Sequence, residues 1–200
     1  MLPQNAGTVL RNPCILLEKW KTGDSDCGNH RQSGYENSKN VLWYQCVQIM
    51  GVVEEGVTQT GQEVTAIVAE NFLSGDTSAC VMSRQCGTKV IPVDIGMAVD
   101  TKVSKELKVA YGTANMTKGP AMTRAQAVQA LEAGIEMVRR LKEEGYGLLA
   151  TGEMGIGNTT TSSAVASVLL DRSVEEMTGR GAGLSGDGLN RKIKCNQKSN

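Results

Sequence analysis

The residues best suited to chemistry lie in the glycine-rich stretch Gly-Glu-Met-Gly-Ile-Gly-Asn-Thr-Thr at 152–160, which follows a short apolar run. A strand that feeds a glycine-rich turn into a helix exposes backbone N–H groups at the positive end of the helix dipole, which suits a phosphate. Asn158 and Thr159 are also good N-cap residues, so a purely capping role stays open. The spacing matches neither an ATP-type P-loop nor a dinucleotide-binding fingerprint.

Glu153 is the only carboxylate in that stretch. It would lie at the carboxyl end of a strand, where open α/β sheets place their ligand crevice. We expect it to face a donor group on the ligand; the alternative is a solvated loop glutamate. His30 is the only histidine of the chain, so acid–base chemistry falls to carboxylates, lysine or tyrosine. A histidine-rich metal site is excluded, and we expect no metal and no cofactor.

A second glycine cluster lies at 178–184 and is followed by Arg191 and Lys192. Such a cluster would supply further N–H groups and a fixed positive charge to an anionic ligand. The alternative interpretation is a plain turn with basic residues on the surface.

Periodicity and turn residues place these stretches between helices and strands. Thr123 and Gln126 form a capping-box pair at the start of the clearest helix, which should end near Gly145. Further helices are predicted over 61–73, over 77–85 and through Leu170, and strands over 89–96, 107–111 and 148–151. Helices that alternate with strands predict an α/β fold with a parallel sheet.

The amino-acid composition excludes some classes of binding partner. The chain has 200 residues, one ordinary domain in length, with 21 Lys and Arg against 21 Asp and Glu. This balance gives no electrostatic footprint for nucleic acid or an anionic membrane. No apolar stretch is long enough to span a membrane and no signal-peptide layout is present, so we expect a cytoplasmic protein. The six cysteines are irregularly spaced without a Cys-x-x-Cys pair, which favours reduced thiols over disulfides.

Five stretches of the chain resemble the nicotinate-nucleotide:dimethylbenzimidazole phosphoribosyltransferase family. They are collinear with it over residues 51–194 and read GVVEEGV at 51–57, EVTAI at 63–67, GPAM at 119–122, GEMGIGNTT at 152–160 and GRGAGL at 179–184. The resemblance implies a Rossmann-like parallel sheet flanked by helices, a homodimer and no metal. It also implies transfer of phosphoribose from nicotinate mononucleotide to a benzimidazole nitrogen, with release of nicotinate, in cobalamin lower-ligand synthesis.

Carried over by position, the resemblance also implies roles for individual residues. The transfer passes through an oxocarbenium-like state, so the enzyme needs a carboxylate that takes the benzimidazole proton and donors that hold the phosphate. Glu153 matches an active-site glutamate and is the candidate catalytic residue, and Thr60 and Met154 match positions that line the benzimidazole pocket. The positions implied in binding phosphate and nicotinate are Gly155, Gly157, Asn158, Gly181 and Lys192.

The two ends of the chain depart from the family. The family's general-base glutamate belongs to a later part of the sequence, which this chain lacks. The family also has a strand that ends Met-Cys-Ala-Asp-His-Gly, and this motif does not occur before Gly51. One possible set of codons for residues 43–51 encodes Val-Ser-Met-Cys-Ala-Asp-His-Gly when its first two bases are dropped. We therefore hypothesise that 1–50 and 195–200 are aberrant, out-of-frame segments around a partial domain at 51–194.

This hypothesis predicts an incomplete sheet that lacks its first strand, and impaired activity. Flexible termini are the alternative interpretation of the two ends. Two other functions stay open: a non-catalytic fragment that binds a phosphate or nucleotide, and a transferase on the same scaffold that acts on another nitrogenous base.

Overall fold

The computed structural model describes residues 41–199. Within them, three strands alternate with helices along the chain. The strands are β1 (Val41–Gln48), β2 (Lys89–Gly96) and β3 (Leu148–Met154). The helices are a 3₁₀ helix (Gly51–Glu55), α1 (Glu63–Ser74), α2 (Ser78–Gln85), α3 (Arg124–Glu143), α4 (Asn158–Leu170), α5 (Val174–Met177) and α6 (Gly186–Ser199).

The three strands form a parallel sheet in the order β2-β1-β3. Helices α1 and α2 connect β1 to β2, and α3 connects β2 back across the sheet to β3. The strand order therefore reverses between β1 and β3. This reversal is the switch point at which open α/β sheets form their ligand crevice, outside the carboxyl ends of the strands. The predicted α/β class with a Rossmann-like parallel sheet is confirmed.

Two apolar clusters hold the layers together. Val47 of β1 packs with Ala69 of α1 and with Met97 and Val103, and Met154 at the end of β3 packs against this group. In the second cluster the residues after β1 meet α6, through Met50, Val52, Val57 and Cys195. The carboxyl ends of β1 and β3 are thus fixed from below by apolar packing, which leaves the edge above them for polar groups.

The four predicted helices are confirmed as α1 to α4, and two of them have a side-chain N-cap. Thr77 caps α2, where its hydroxyl accepts a hydrogen bond from the Cys80 N–H at 3.1 Å. The capping box of α3 has both bonds, because the Gln126 N–H donates to the Thr123 hydroxyl and the Thr123 N–H donates to the Gln126 side chain. The apolar stripe of α3 is largely uncovered by the described residues, with Leu131 70% exposed.

The predicted strand at 107–111 is wrong. Its one ladder-like bond runs from the Val109 N–H to the Ile95 carbonyl, at 3.1 Å. Lys108 instead turns its side chain inward, where its Nζ lies 3.2 Å from the carboxylate of the buried Asp94. Pairing a buried carboxylate is favoured over extending the sheet, because an unpaired buried charge costs far more than one backbone bond contributes.

The strand predicted at 148–151 runs three residues further, to Met154. Gly152 and Glu153 therefore belong to the end of β3, and the turn between β3 and α4 is shorter than the glycine spacing suggests.

The out-of-frame hypothesis predicts a sheet without its first strand. This prediction is wrong, because the first strand is present. Residues 41–48 form β1, which pairs in parallel with both other strands. Residues 195–199, which belong to the segment expected to be an aberrant tail, continue α6. There the Asn196 side chain is fully buried and donates to the Thr178 hydroxyl at 3.1 Å. The origin of both segments in the coding DNA stays a hypothesis.

Four cysteines of the described part, Cys46, Cys80, Cys86 and Cys195, are free thiols, as the spacing predicts. Cys14, Cys27 and His30 fall outside the described residues. No helix between residues 41 and 199 has the length and apolar character needed to cross a bilayer.

If β1 is the central strand, shortening Leu42, whose side chain is fully buried, should cost much of the stability. We expect Leu42→Ala to lower the free energy of unfolding by about 2–5 kcal/mol, measured by urea denaturation. The control Leu169→Ala, at a 77% exposed position of α4, should change it by less than about 0.5 kcal/mol. An unchanged unfolding midpoint in Leu42→Ala would show that residues 41–48 are not part of the core.

Candidate functional site

Glu153 lies at the switch point, next to last on β3 and opposite Cys46 of β1. Its carboxylate accepts a hydrogen bond from the Asn158 side-chain amide at the start of α4. The side chain of Gln48, the last residue of β1, is a second hydrogen-bond partner. One carboxylate therefore links the ends of both strands to the following helix, which fixes its position at the mouth of the crevice.

The pKa of Glu153 is raised above its ordinary value. The main cause is loss of hydration among the surrounding protein atoms, and the hydrogen bonds from Asn158 and Gln48 oppose it. The residue remains exposed, so a ligand can reach the carboxyl group. A carboxyl group with a raised pKa is a better proton acceptor than an ordinary glutamate once it is ionised.

The turn after β3 is pressed against the end of β1, and glycine is required at two of its positions. A Cβ at position 155 would meet the Gln48 carbonyl oxygen at 2.3 Å. Gly157 has φ +95°, and a Cβ there would come within 2.8 Å of the Val53 side chain. From α1, the buried Thr65 hydroxyl accepts a hydrogen bond from the Ile156 N–H at 3.1 Å, which anchors the turn between the two glycines.

The start of α4 has no side-chain cap. Its N-cap residue is Gly157, and the Asn158 side chain donates to Glu153 instead of capping the helix. The interpretation that Asn158 and Thr159 merely cap α4 is therefore wrong. Two of the first N–H groups donate within the turn, from Asn158 to the Gly155 carbonyl at 3.0 Å and from Thr160 to the Gly157 carbonyl at 2.9 Å. What this end offers an anion is therefore chiefly the positive end of the helix dipole.

Lys192 of α6 reaches the first turn of α4 as a buried ammonium, only 1% exposed. Its Nζ donates to the Thr159 hydroxyl at 2.8 Å and to the Gly179 carbonyl at 3.0 Å. Burial lowers its pKa, and within residues 41–199 it has no ion pair with a carboxylate. The alternative of surface basic residues is wrong for Lys192 and holds for Arg191, which is exposed and donates to the Gly56 carbonyl.

Gly181 keeps the space beside that ammonium open. It has φ +59°, and a Cβ there would lie 3.5 Å from the Lys192 Nζ and 2.6 Å from the Thr159 hydroxyl. Any side chain at this position would therefore crowd the same two polar groups that a ligand would need.

A cavity of about 130 Å³ lies above this turn. It brings together four of the predicted site residues, Thr60, Gly155, Gly157 and Asn158. Lys192 and Gly181 contact its wall through Thr159. Met154 is not among its lining residues and packs instead against the apolar cluster around Val47. The structure thus groups the predicted phosphate-binding residues and separates Met154 from them.

A larger cavity of about 480 Å³ lies at the carboxyl ends of β1 and β2, beside the start of α3. Gln48 and Arg124 line it, and neither was a predicted site residue. Gln48 was missed because the segment before Gly51 has no strand period, and Arg124 because it reads as an ordinary first-turn helix residue. Between residues 41 and 199 no group of three or more His, Cys, Asp or Glu side chains is arranged to hold a metal ion.

A parallel α/β sheet with an uncapped helix end, a buried lysine and a carboxylate at the switch point is an arrangement suited to an anionic ligand in the crevice. Comparison with known proteins makes this specific: the chain belongs to a family described as "Phosphoribosyltransferase", whose model matches residues 47–199. The resemblance seen in the sequence is confirmed, and the match extends through the last turns of α6.

Relatives and solved structures agree. The chain is 51% identical over 146 residues to nicotinate-nucleotide--dimethylbenzimidazole phosphoribosyltransferase of Ruminiclostridium cellulolyticum, covering 72% of this chain and 42% of the relative. The same-named protein of Acetivibrio thermocellus is 49% identical over 151 residues, covering 74% and 43%. The crystal structure of CobT from Thermus thermophilus superposes with a TM-score of 0.72 at 38% identity, covering 80% of this chain and 48% of that one. The chain therefore spans about two-fifths of the length of these curated relatives.

The close approach at Gly155 predicts a sharp difference between two glycine substitutions. Gly155→Ala should lower the free energy of unfolding by about 1–3 kcal/mol, because the new methyl group would overlap the Gln48 carbonyl oxygen. Gly134→Ala, inside α3 with open space around it, should raise it by about 0.5–1 kcal/mol. Equal effects of both changes in urea denaturation would contradict the tight packing of the turn.

Proposed function

We propose that this chain binds the phosphoribosyl group of nicotinate mononucleotide and takes part in its transfer to 5,6-dimethylbenzimidazole. The observation that carries the proposal is the Lys192 ammonium, buried at the first turn of α4 without a carboxylate partner among the described residues. An uncompensated buried charge is costly, and a bound phosphate would supply the missing anion. The names of the relatives identify the nucleotide and the base.

The phosphate would lie where Lys192 and the uncapped end of α4 converge. Lys192 supplies the charge, and the positive end of the α4 dipole adds to the attraction for the phosphate. Gly155, Gly157 and Gly181 let the backbone approach the ligand because side chains at these positions would fill the space or overlap their neighbours. Asn158 contributes by holding Glu153 at the edge of the same cavity.

Glu153 would serve the reacting sugar and the incoming base. In the transfer, the bond from C1′ to the pyridine nitrogen breaks and its electron pair returns to the ring as nicotinate leaves. A benzimidazole nitrogen forms the new bond to C1′, and the proton on its other nitrogen passes to a base. For this chain we assign that role to Glu153, in place of the glutamate that the resemblance puts in a later part of the family. The carboxylate also stabilises the positive charge that develops on the sugar. Contacts of Thr60 and Met154 with the base stay predictions, the first supported by the position of Thr60 in the small cavity.

The homodimer implied by the resemblance is part of the proposal, and the exposed apolar stripe of α3 offers a surface for it. Reduced turnover compared with the longer relatives also stays a prediction. The non-catalytic alternative requires binding of the phosphoribosyl group without transfer, so binding and turnover are tested separately.

Replacing Lys192 should weaken phosphate binding without lowering the free energy of unfolding. We expect Lys192→Met to weaken binding of ribose 5-phosphate at least tenfold in calorimetry, because a charged hydrogen bond is lost. The free energy of unfolding without ligand should stay equal or rise, since a buried unpaired charge is removed. The control Lys194→Met, on the exposed side of the same helix, should change neither quantity.

Affinity in the unsubstituted chain should also depend on pH through Lys192. Burial favours the neutral amine, so the pKa is lowered. Once the phosphate is fully ionised, affinity should therefore fall as the pH rises through this lowered pKa. Equal affinity in Lys192→Met and the unsubstituted chain would sink the proposal.

Glu153→Gln should slow the transfer strongly and leave the binding of ribose 5-phosphate unchanged. The rate of phosphoribosyl transfer from nicotinate mononucleotide to 5,6-dimethylbenzimidazole, followed by chromatography, should fall about 10²- to 10⁴-fold. Ribose 5-phosphate affinity should not change. In the unsubstituted chain the rate should increase with pH through the raised pKa of Glu153, because only the ionised carboxylate accepts a proton. Binding without turnover in the unsubstituted chain would support the non-catalytic alternative.

A further inference from the structure

Three segments of the chain bound the small cavity of about 130 Å³. They are residues 57–60 after the 3₁₀ helix, residues 155–159 at the start of α4, and residues 180–184 before α6. The middle segment is fixed, because the Thr65 hydroxyl anchors it from α1 and Gly155 lies against the end of β1. Any change in the size of the cavity must therefore come from the other two segments.

Each of these two segments is anchored at one end. The first is held at its start, where the Val57 side chain is buried in the second apolar cluster. There the Arg191 guanidinium also donates to the Gly56 carbonyl at 2.8 Å. The second segment is held at its end, where the Leu184 side chain is buried.

The free tips of the two segments are joined by a hydrogen bond from the side-chain amide of Gln59 to the Gly183 carbonyl, at 2.6 Å. Within residues 41–199 it is the only hydrogen bond between 57–60 and 180–184. Both partners are exposed, so water can replace each of them when the bond breaks. A neutral hydrogen bond of this kind favours the joined form by a factor of only about two to ten.

The cavity between the joined segments is small for the ligand that the proposed function assigns to it. Pockets for small molecules typically have volumes of about 300–1,000 Å³, more than twice the volume found here. The space suits a phosphate group, and the ribose attached to it needs more room. That room becomes available when the tips of 57–60 and 180–184 separate.

Building on the proposed function, we infer that the hydrogen bond from Gln59 to Gly183 is a clasp over the small cavity. The clasp opens to admit the phosphoribosyl group and forms again once the phosphate has reached Lys192. Gln59 is thereby a positioning residue, which acts through residues 57–60 and makes no bond to the ligand.

A clasp has a kinetic signature that distinguishes it from a ligand contact. The hydrogen bond is present in the closed free protein and in the closed complex, and it is absent only from the open form through which the ligand enters and leaves. Removing it destabilises both closed forms equally, so entry and exit become faster by the same factor and the affinity does not change.

The test is a titration of the full ¹⁵N-labelled chain with ribose 5-phosphate, in which NMR line shapes give the association and dissociation rate constants. Gln59→Met keeps the length of the side chain and removes the donor. It should raise both rate constants by about two- to tenfold and leave the dissociation constant within about twofold. Gln59→Asn keeps the amide but is one methylene shorter, so it should lose the bond and behave in the same way.

Gln197→Met is the matched control. This exposed glutamine donates to Glu175, and neither residue lines the cavity. The same chemical change should therefore leave both rate constants unaltered. The urea unfolding midpoints of all three variants should equal that of the unsubstituted chain, because the replaced side chains are exposed.

A faster dissociation with an unchanged association rate in Gln59→Met would overturn the inference, because it would show that Gln59 holds the ligand itself. Two unchanged rate constants would overturn it as well. Failure of ribose 5-phosphate to bind the unsubstituted chain would instead contradict the proposed function.

Discussion

The buried ammonium of Lys192 is the interaction on which the account of this site depends. A lysine that is 1% exposed loses most of its hydration, and its two neutral acceptors, the Thr159 hydroxyl and the Gly179 carbonyl, replace only part of it. Such an arrangement costs stability in the free protein. An anion bound there would complete it, and on the proposed function the lysine, the uncapped helix end and the open space at Gly181 form one site.

The surrounding elements serve to place a carboxylate beside that anion. Apolar packing of Val47 and Met154 fixes the ends of β1 and β3 at the switch point. The methyl-free backbone at Gly155 lets the turn after β3 contact β1 directly, and Thr65 anchors it from α1. Glu153 is therefore held between Gln48 and Asn158, and each of these two residues lines a cavity.

Local patterns in the sequence were enough to predict helices α1 to α4, strand β2, the capping box of α3 and the glycine-rich turn, because each depends on neighbouring residues alone. Other features depend on residues far apart in the chain. Strand β1 forms because two partners pair with a segment that has no strand period of its own, and the pairing of Lys108 with Asp94 removes a predicted strand. The pair Arg191 and Lys192 reads as a surface feature, and only the packing of α6 on α4 shows which of the two is buried. The hydrogen bond from Gln59 to Gly183 likewise joins residues that are far apart in the chain.

The central claim concerns one charge, and it is tested most directly by NMR of chain labelled with ¹³C at the lysine ε-carbons, with Lys192→Met assigning the signal. The account predicts that Lys192 titrates at a lower pH than the exposed lysines, and that saturating ribose 5-phosphate moves its pKa upward because the phosphate stabilises the ammonium. A Lys192 signal that titrates with the exposed lysines and does not respond to the ligand would contradict the account.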